Sequence, residues 1–236
     1  MNPAPPLSTP VAHLSRPRSG RLALFGAAAI GVVAFAFTPA VAELRLPRVL
    51  DVPSRPAFIR PPGAAELKAR SGQVIAPLSQ LRTEKPGRLQ VLLADGRAFR
   101  LGGNALLQLD PDGLNLRGGQ IIAWINPSAL RRRPLRIRTR VGTASIQGTT
   151  VFIDDQPEEV LFLSWEGSVE ITTTSGTVFT LSSGEILRAT PAGWIGPRRL
   201  SAEEVRQRRQ RSILLNGFEA PMETLPVIER ELGLTP

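Results

Sequence analysis

The sequence has no cysteine and no tyrosine, and its one histidine, His13, lies close to the N-terminus. Without cysteine, the chain can form neither a disulfide framework nor a thiolate metal site. Because no imidazole follows His13, most of the chain lacks a histidine that could act as a general base or as a metal ligand. These absences count against a hydrolase or a metalloenzyme. We therefore expect a protein that is not an enzyme and that holds no metal and no cofactor.

Charge is absent from one long stretch, Leu22–Phe37, which follows a short basic region. A helix-breaking proline and then the sequence Ala40-Val41-Ala42 separate this run from Glu43. A basic region, an apolar run and an A-x-A site together indicate a secretory signal peptide, cleaved between Ala42 and Glu43. Counted through Ala42, the apolar stretch has about 21 residues and is long enough to span a bilayer, so an uncleaved membrane anchor is the alternative. Both interpretations export the rest of the chain to the periplasm or cell envelope.

The exported part is basic, even without the three arginines of the leader, Arg16, Arg18 and Arg21. From Glu43 onward, 26 basic and 20 acidic residues leave a net charge of +6. A moderately basic exported domain suggests an anionic neighbour. We expect an envelope protein, an anionic lipid or an acidic polysaccharide as the partner. Nucleic acid is not expected, because it conflicts with export.

The chain divides into four segments by composition. Many prolines between Pro47 and Pro86 favour an extended, partly ordered segment, with a first edge strand at Gly72–Ile75. Near the C-terminus, Ser201 and Glu204 have the spacing of a capping box, which predicts a helix from there to about Leu215. A second short helix is expected at about Leu225–Leu232. The predicted organisation is a signal peptide or N-terminal anchor at residues 1–42, a Pro-rich segment at 43–87, a β domain at 88–197 and a helical tail at 198–236.

Between these ends, the pattern is that of short β-strands. Leu89–Leu93 and Arg97–Leu101 flank Asp95-Gly96, which is typical of a hairpin turn. Similar alternating runs follow, with turn residues roughly every 8–12 positions. The fold class is therefore mainly β: an antiparallel, short-strand sandwich or jelly roll, or a solenoid-like domain, followed by the helical tail.

Three motifs in this β region occur in a fixed order. They are Ile146-Gln147-Gly148-Thr149, Trp165-Glu166-Gly167-Ser168-Val169 and, after Leu181, Ser183-Gly184-Glu185. In this order and spacing they resemble the FecR domain family, named after the periplasmic regulator of ferric citrate sensing. The resemblance implies a periplasmic β domain with a binding or sensing role. Its motif residues here are Gly148, Thr149, Glu166, Gly167, Gly184 and Glu185.

The motif residues have structural explanations of their own. Glycine relieves the φ constraint at tight corners, so Gly148, Gly167 and Gly184 are expected at turns between strands. The Thr149 hydroxyl is expected to bond nearby backbone. FecR-type regulators also carry a cytoplasmic anti-sigma segment before the membrane helix, whereas only about 20 Pro-rich residues precede the apolar run here. This departure favours a binding or assembly role over sigma-factor regulation.

A basic strand is the most concentrated charged feature of the β region. In residues 135–141, arginine alternates with apolar residues or threonine, which places the arginines on one face. That face could dock an anionic surface, or it could be a solvated strand face that discourages edge pairing. The candidate residues are Arg131, Arg132, Arg133, Arg136, Arg138 and Arg140.

Carbohydrate chemistry is a third class of function, after envelope binding and transmembrane FecR-type regulation. Adjacent acids such as Asp154-Asp155 and Glu158-Glu159 are normally solvated turn residues rather than a catalytic pair. Trp165 is the tryptophan most suited to stacking on a sugar, because it is expected at an exposed turn. We therefore name no catalytic residue.

Overall fold

The structure is a computed structural model, and it describes residues 46–126 and 134–234. The predicted leader, its cleavage site at Ala40, Ala42 and Glu43, and Arg131, Arg132 and Arg133 lie outside the described residues. None of the helices in the described part of the chain is long and apolar enough to cross a membrane.

The described residues contain fifteen strands and two helices. The predicted fold class, mainly β and antiparallel, is confirmed. The strands are β1 (Arg48–Ser54), β2 (Ala57–Arg60), β3 (Leu67–Lys68), β4 (Gln80–Thr83), β5 (Arg88–Leu92), β6 (Arg97–Asp110), β7 (Gly113–Ile125), β8 (Leu135–Arg138), β9 (Gly142–Ile146), β10 (Thr150–Gln156), β11 (Glu159–Glu166), β12 (Val169–Thr173), β13 (Val178–Leu181), β14 (Glu185–Thr190) and β15 (Gly193–Arg199). The helices are α1 (Ala202–Arg211) and α2 (Leu225–Glu231).

The long hairpin β6–β7 is the centre of the sheet. Its register shifts beside Gly102, and Gly103, Asn104 and Gly119 have positive φ. A Cβ on Gly119 would lie 2.3 Å from the Cα of Ala105, so only glycine permits the two backbones to approach this closely. The irregularity divides each long strand into two halves that pair with different neighbours.

The sheet branches at these halves. The second half of β7 pairs with β10, and the path continues through β11 and β14 to β15. The first half of β7 pairs in parallel with β8, from which β9, β12 and β13 follow. On the other side, β6 pairs with β4 and with β5. The two arms of the sheet face each other across the main core, where Trp194 of β15 contacts Phe179 of β13 with ring centroids 5.5 Å apart.

The Pro-rich segment contributes four strands, β1 to β4, to this sheet. Val49, Ile59 and Leu81 from these strands are buried in the main core. Its prolines lie outside these strands except for Pro53 in β1, in keeping with the lost backbone donor of proline. The expected edge strand at Gly72–Ile75 is reduced to one isolated bridge between Val74 and Arg48.

The C-terminal segment covers the outer face of β7, β10, β11 and β14. Val205, Leu214 and Ile228 pack there in a second apolar cluster with Trp124 and Trp165. The capping box is confirmed, since Ser201 Oγ accepts from Glu204 N at 3.2 Å and Glu204 Oε2 accepts from Ser201 N at 2.8 Å. Helix α1 ends at Arg211 rather than near Leu215, because the chain must turn there to place Leu214 in the cluster.

Candidate binding surface and the motif turns

The three motif turns meet at one corner of the sheet. Gly148, Gly167 and Gly184 have φ of +73°, +71° and +75°, so each occupies the left-handed region that glycine adopts most easily. A Cβ on Gly167 would lie 2.6 Å from the Thr149 methyl carbon, which puts the first two turns in contact. Gly167 N donates to Ser183 Oγ at 2.8 Å and so joins the third turn to them.

Helix α2 closes this corner. Ser183 Oγ donates to Glu231 Oε2, and the same carboxylate oxygen accepts from Gly167 N at 3.2 Å. Glu185 stays within its own turn, where its carboxylate accepts from Ser182 N at 2.7 Å. Three motifs that are far apart in the sequence therefore share one structural unit with the C-terminal helix.

Glu166 is the chemically unusual member of the motifs. Its side chain is buried, and its Oε1 lies 2.9 Å from the hydroxyl of Thr150. The same hydroxyl lies 2.9 Å from Thr224 Oγ1, just before α2. Burial raises the pKa of Glu166 to about 7; the hydrogen bond from Thr150 opposes this rise, and the negative charge of Glu231 adds to it. A carboxyl group of this kind changes charge close to neutral pH.

The expectation for the Thr149 hydroxyl is wrong. Thr149 Oγ1 is buried and has no hydrogen-bond partner among the described residues, whereas its neighbour Thr150 makes the side-chain bonds. Strand β10 begins at Thr150, so the two threonines point to opposite sides of the chain. Nothing in the sequence pattern singles out Thr224 or Glu231 as partners, because they join this corner only through the folded C-terminal segment.

The basic strand shows the expected alternation. Arg136, Arg138 and Arg140 are exposed, whereas the residues that alternate with them, Leu135, Ile137 and Thr139, are buried. The register places Arg136 opposite Ser145 and Arg138 opposite Thr143, with Glu170 and Thr172 on the next strand. The face is therefore a polar ladder across β8, β9 and β12.

A shallow groove of about 320 Å³ lies on this face. Arg136, Arg138, Asp112 and Glu170 line it together with the small polar side chains of β9 and β12. Arg138 Nη1 lies 3.6 Å from Asp110 Oδ2, a distance too long for a strong ion pair at an exposed site. For Arg136, no ion pair is found among the described residues. Arg136 is therefore free to contact a ligand, and within the described ranges Arg138 is held only by this long contact with Asp110.

Arg140 does not belong to this groove. Its Nε donates to Asp155 Oδ1 at 2.8 Å, and its Nη2 donates to the carbonyl oxygens of Gln156 and Pro157. Asp155 is buried, so the contact fixes the turn between β10 and β11. The predicted row of arginines thus has two different roles, which the alternation alone could not separate.

The side chains considered for carbohydrate chemistry are mostly engaged elsewhere. Trp165 is 2% exposed and packs in the second apolar cluster, so the expectation of an exposed stacking residue is wrong. Its strand continues to Glu166, and C-terminal residues cover it. Asp154 accepts from Gln120 Nε2 at 2.8 Å, and Glu159 pairs with Arg188. These carboxylates are held by neighbouring side chains rather than facing each other across a cleft.

The sequence matched known proteins at the level of a domain. The family model described as FecR protein matches residues 79–170. A search of the curated proteins gave no match.

Two similar solved structures are crystal structures of a protein from Parabacteroides distasonis ATCC 8503 described as an anti-sigma factor, at 2.50 and 1.65 Å resolution. The first is 19% identical with a TM-score of 0.49, and the alignment covers 57% of this chain and 65% of that chain. The second is 18% identical with a TM-score of 0.47, and the alignment covers 55% of this chain and 63% of that chain. The chain thus spans slightly less than two thirds of the length of these structures.

Proposed function

The chain contains a FecR domain at residues 79–170, and from this premise we propose that it is a non-enzymatic, exported protein that binds or senses a partner at the bacterial cell envelope. The family match is the observation that carries the proposal. The leader supports export, since its basic region, its apolar run and Ala40-Val41-Ala42 follow the order of a secretory signal.

The groove on β8 supports a binding role. Arg136 and Arg138 present guanidinium groups, which form paired hydrogen bonds with carboxylate and phosphate. The chain from Glu43 onward also carries a net charge of +6. An anionic envelope component, either a lipid surface or an acidic polysaccharide, complements this net charge, although Asp112 and Glu170 also line the groove.

Export is tested first, by expressing the full chain with a C-terminal tag in a Gram-negative host and sequencing the N-terminus of the fractionated product. We expect a periplasmic protein that begins at Glu43, or a membrane-bound protein that keeps the leader. A product that stays in the cytoplasm with its first residue intact would overturn export.

Binding is tested with the chain from Glu43 onward, because residues 43–236 form one compact unit. The probes are vesicles of phosphatidylglycerol in phosphatidylcholine and, separately, alginate, both at low salt. An arginine near an anionic surface contributes about 1 kcal/mol, so R136Q/R138Q should weaken binding roughly 30-fold. K68Q/R70Q removes the same charge from exposed residues elsewhere and serves as the control. If the two double variants weaken binding equally, or if the wild-type chain binds neither probe, the β8 groove is excluded as the binding site.

Transmembrane regulation of the FecR type is the alternative that the domain match also favours. It requires an uncleaved leader and a sigma factor as cytoplasmic partner. Retention of residues 1–42 together with co-purification of a sigma factor encoded beside this gene would favour regulation over binding alone. A mature N-terminus at Glu43 would exclude it.

Carbohydrate binding or cleavage is a further alternative. Its test is alanine substitution of the acids Asp154, Asp155, Glu158, Glu159 and Glu166, each assayed for cleavage of envelope polysaccharide. Loss of a measured activity in one variant that stays folded would establish an enzyme. No activity in the wild-type chain would remove this class.

A further inference from the structure

A second groove, of about 660 Å³, lies between helix α1 and the outer face of strands β10 and β11. Phe152 of β10 and Leu161, Leu163 and Trp165 of β11 line its floor. Because side chains alternate along a strand, the residues of β11 project from the same face. Phe152 and Leu161 are only partly buried, so the floor keeps apolar surface that the protein itself does not cover.

The wall of the groove is one stripe of α1. Glu204, Gln207, Arg208 and Arg211 line the groove. Their spacing of three and four residues puts them on one side of a helix. The capping box at Ser201 fixes where this helix begins, and the burial of Val205 in the second apolar cluster fixes which side faces the sheet.

The charges of the groove are not balanced. Glu204 pairs with Arg198 at 2.6 Å, and Asp154 accepts from Gln120 at 2.8 Å and from Gln156 at 2.6 Å. By contrast, no ion pair is found within the described part of the chain for three cations that line the groove, namely Lys85, Arg208 and Arg211. The carboxylates already have partners, and the cations remain available.

We propose that this groove binds a small amphiphile with one anionic head group, a carboxylate or a phosphate, and a short aliphatic body. The apolar floor accepts the body, and the guanidinium groups of Arg208 and Arg211 accept the head group through charge-assisted hydrogen bonds. The volume is within the ~300–1,000 Å³ of small-molecule sites, which favours such a ligand over a macromolecular partner. The proposal goes beyond the proposed function, because it rests on the groove alone and holds with or without export.

Titration calorimetry with the chain from Glu43 onward tests the proposal, using decanoate, decyl phosphate, decanol and acetate below their aggregation limits at pH 8. We expect binding of decanoate or decyl phosphate, at least tenfold weaker binding of decanol and no binding of acetate. The ratio between decanoate and decyl phosphate tells a carboxylate from a phosphate ligand.

Variants locate the site. R208Q/R211Q should weaken binding of the anionic probe at least tenfold, whereas R199Q/R206Q removes the same charge from exposed residues outside the groove and should leave it unchanged. L161E introduces a carboxylate into the floor and should abolish binding. Thermal unfolding of each variant establishes that it is folded. Equal losses in the two double variants, unchanged binding by folded L161E, or no binding of either anionic probe by the wild type would overturn the proposal.

Discussion

The hydroxyl of Thr150 lies 2.9 Å from a carboxylate oxygen of Glu166 inside the protein. Glu166 is 4% exposed, and burial raises its pKa to about 7. Because the hydroxyl also lies 2.9 Å from Thr224 Oγ1, the charge of Glu166 is linked to the start of helix α2. The ionised carboxylate can accept a hydrogen bond from Thr150, while Thr150 accepts one from Thr224; the neutral acid can instead donate a hydrogen bond to Thr150.

Stability should therefore depend on pH through Glu166. Its pKa is raised from 4.5 to about 7 in the folded state, so between these values the folded chain binds a proton that the unfolded chain has lost. This contribution is fully present below pH 4.5 and is lost as pH rises through about 7. Urea unfolding from pH 4.5 to 8 should show wild type losing stability relative to E166Q, which cannot ionise.

Glu158 provides the control for this titration, because it is exposed. The E158Q variant should follow the wild-type pH profile. If the free energies of unfolding of E166Q and wild type change in the same way with pH over the whole range, Glu166 does not titrate as its burial requires.

The contact between Gly167 and Thr149 gives a second prediction. Alanine at Gly148 or at Gly167 must adopt a positive φ, which costs about 1–2 kcal/mol. At Gly148 a Cβ meets no atom within 4 Å, whereas at Gly167 it lies 2.6 Å from the Thr149 methyl carbon. G167A should therefore reduce the free energy of unfolding more than G148A does.

A double-mutant cycle isolates this contact. Serine at residue 149 lacks the methyl group, so T149S should recover part of the stability lost in G167A and none of that lost in G148A. Equal losses in G148A and G167A, measured by urea unfolding, would show that the turn shifts without cost.

Many of the strands and turns were predictable because each depends on local signals. The hairpin at Asp95-Gly96 and the capping box at Ser201 are formed by residues that are neighbours in the sequence. The alternation around Ile137 likewise identified the buried and exposed faces of β8. Local chemistry of this kind needs no knowledge of the rest of the fold.

What could not be predicted depends on contacts over long sequence distances. The expected exposure of Trp165 was wrong because the C-terminal segment covers it. Strand β15 was not predicted; its sequence includes Gly196 and Pro197, and it pairs only at the edge, with β14. The groove along α1 also depends on where the helix packs, which the capping box does not specify.

The Ser201 cap gives a third prediction. Ser201 Oγ accepts from Glu204 N, so S201A leaves that backbone donor without its partner in the first turn of α1. The cost should be about 1 kcal/mol in the free energy of unfolding. Ser71 lies in an exposed turn, and S71A is the control for loss of a serine hydroxyl elsewhere. A loss for S201A no larger than that for S71A would show that the cap does not stabilise the helix.

Arg100 gives the last prediction, because it holds the C-terminal segment against the sheet. It is 2% exposed, and it donates to Leu214 O at 2.8 Å, to Ala220 O at 2.9 Å and to Gln90 Oε1 at 2.8 Å. Its guanidinium carbon lies 4.1 Å from the centre of the Phe218 ring, and burial lowers its pKa to about 10.

Methionine keeps much of the volume of Arg100 but leaves all three acceptors without their donor. Hydrogen bonds to charged groups contribute about 1.5–3 kcal/mol each, so R100M should lower the free energy of unfolding by about 3 kcal/mol or more. Because two of the three lost hydrogen bonds go to residues after α1, limited proteolysis should cut near Leu214–Ala220 before the sheet is cleaved. R55M, at an exposed arginine, should change neither measurement. Uniform cleavage of R100M along the chain would show that Arg100 stabilises the sheet itself rather than the docking of the C-terminal segment.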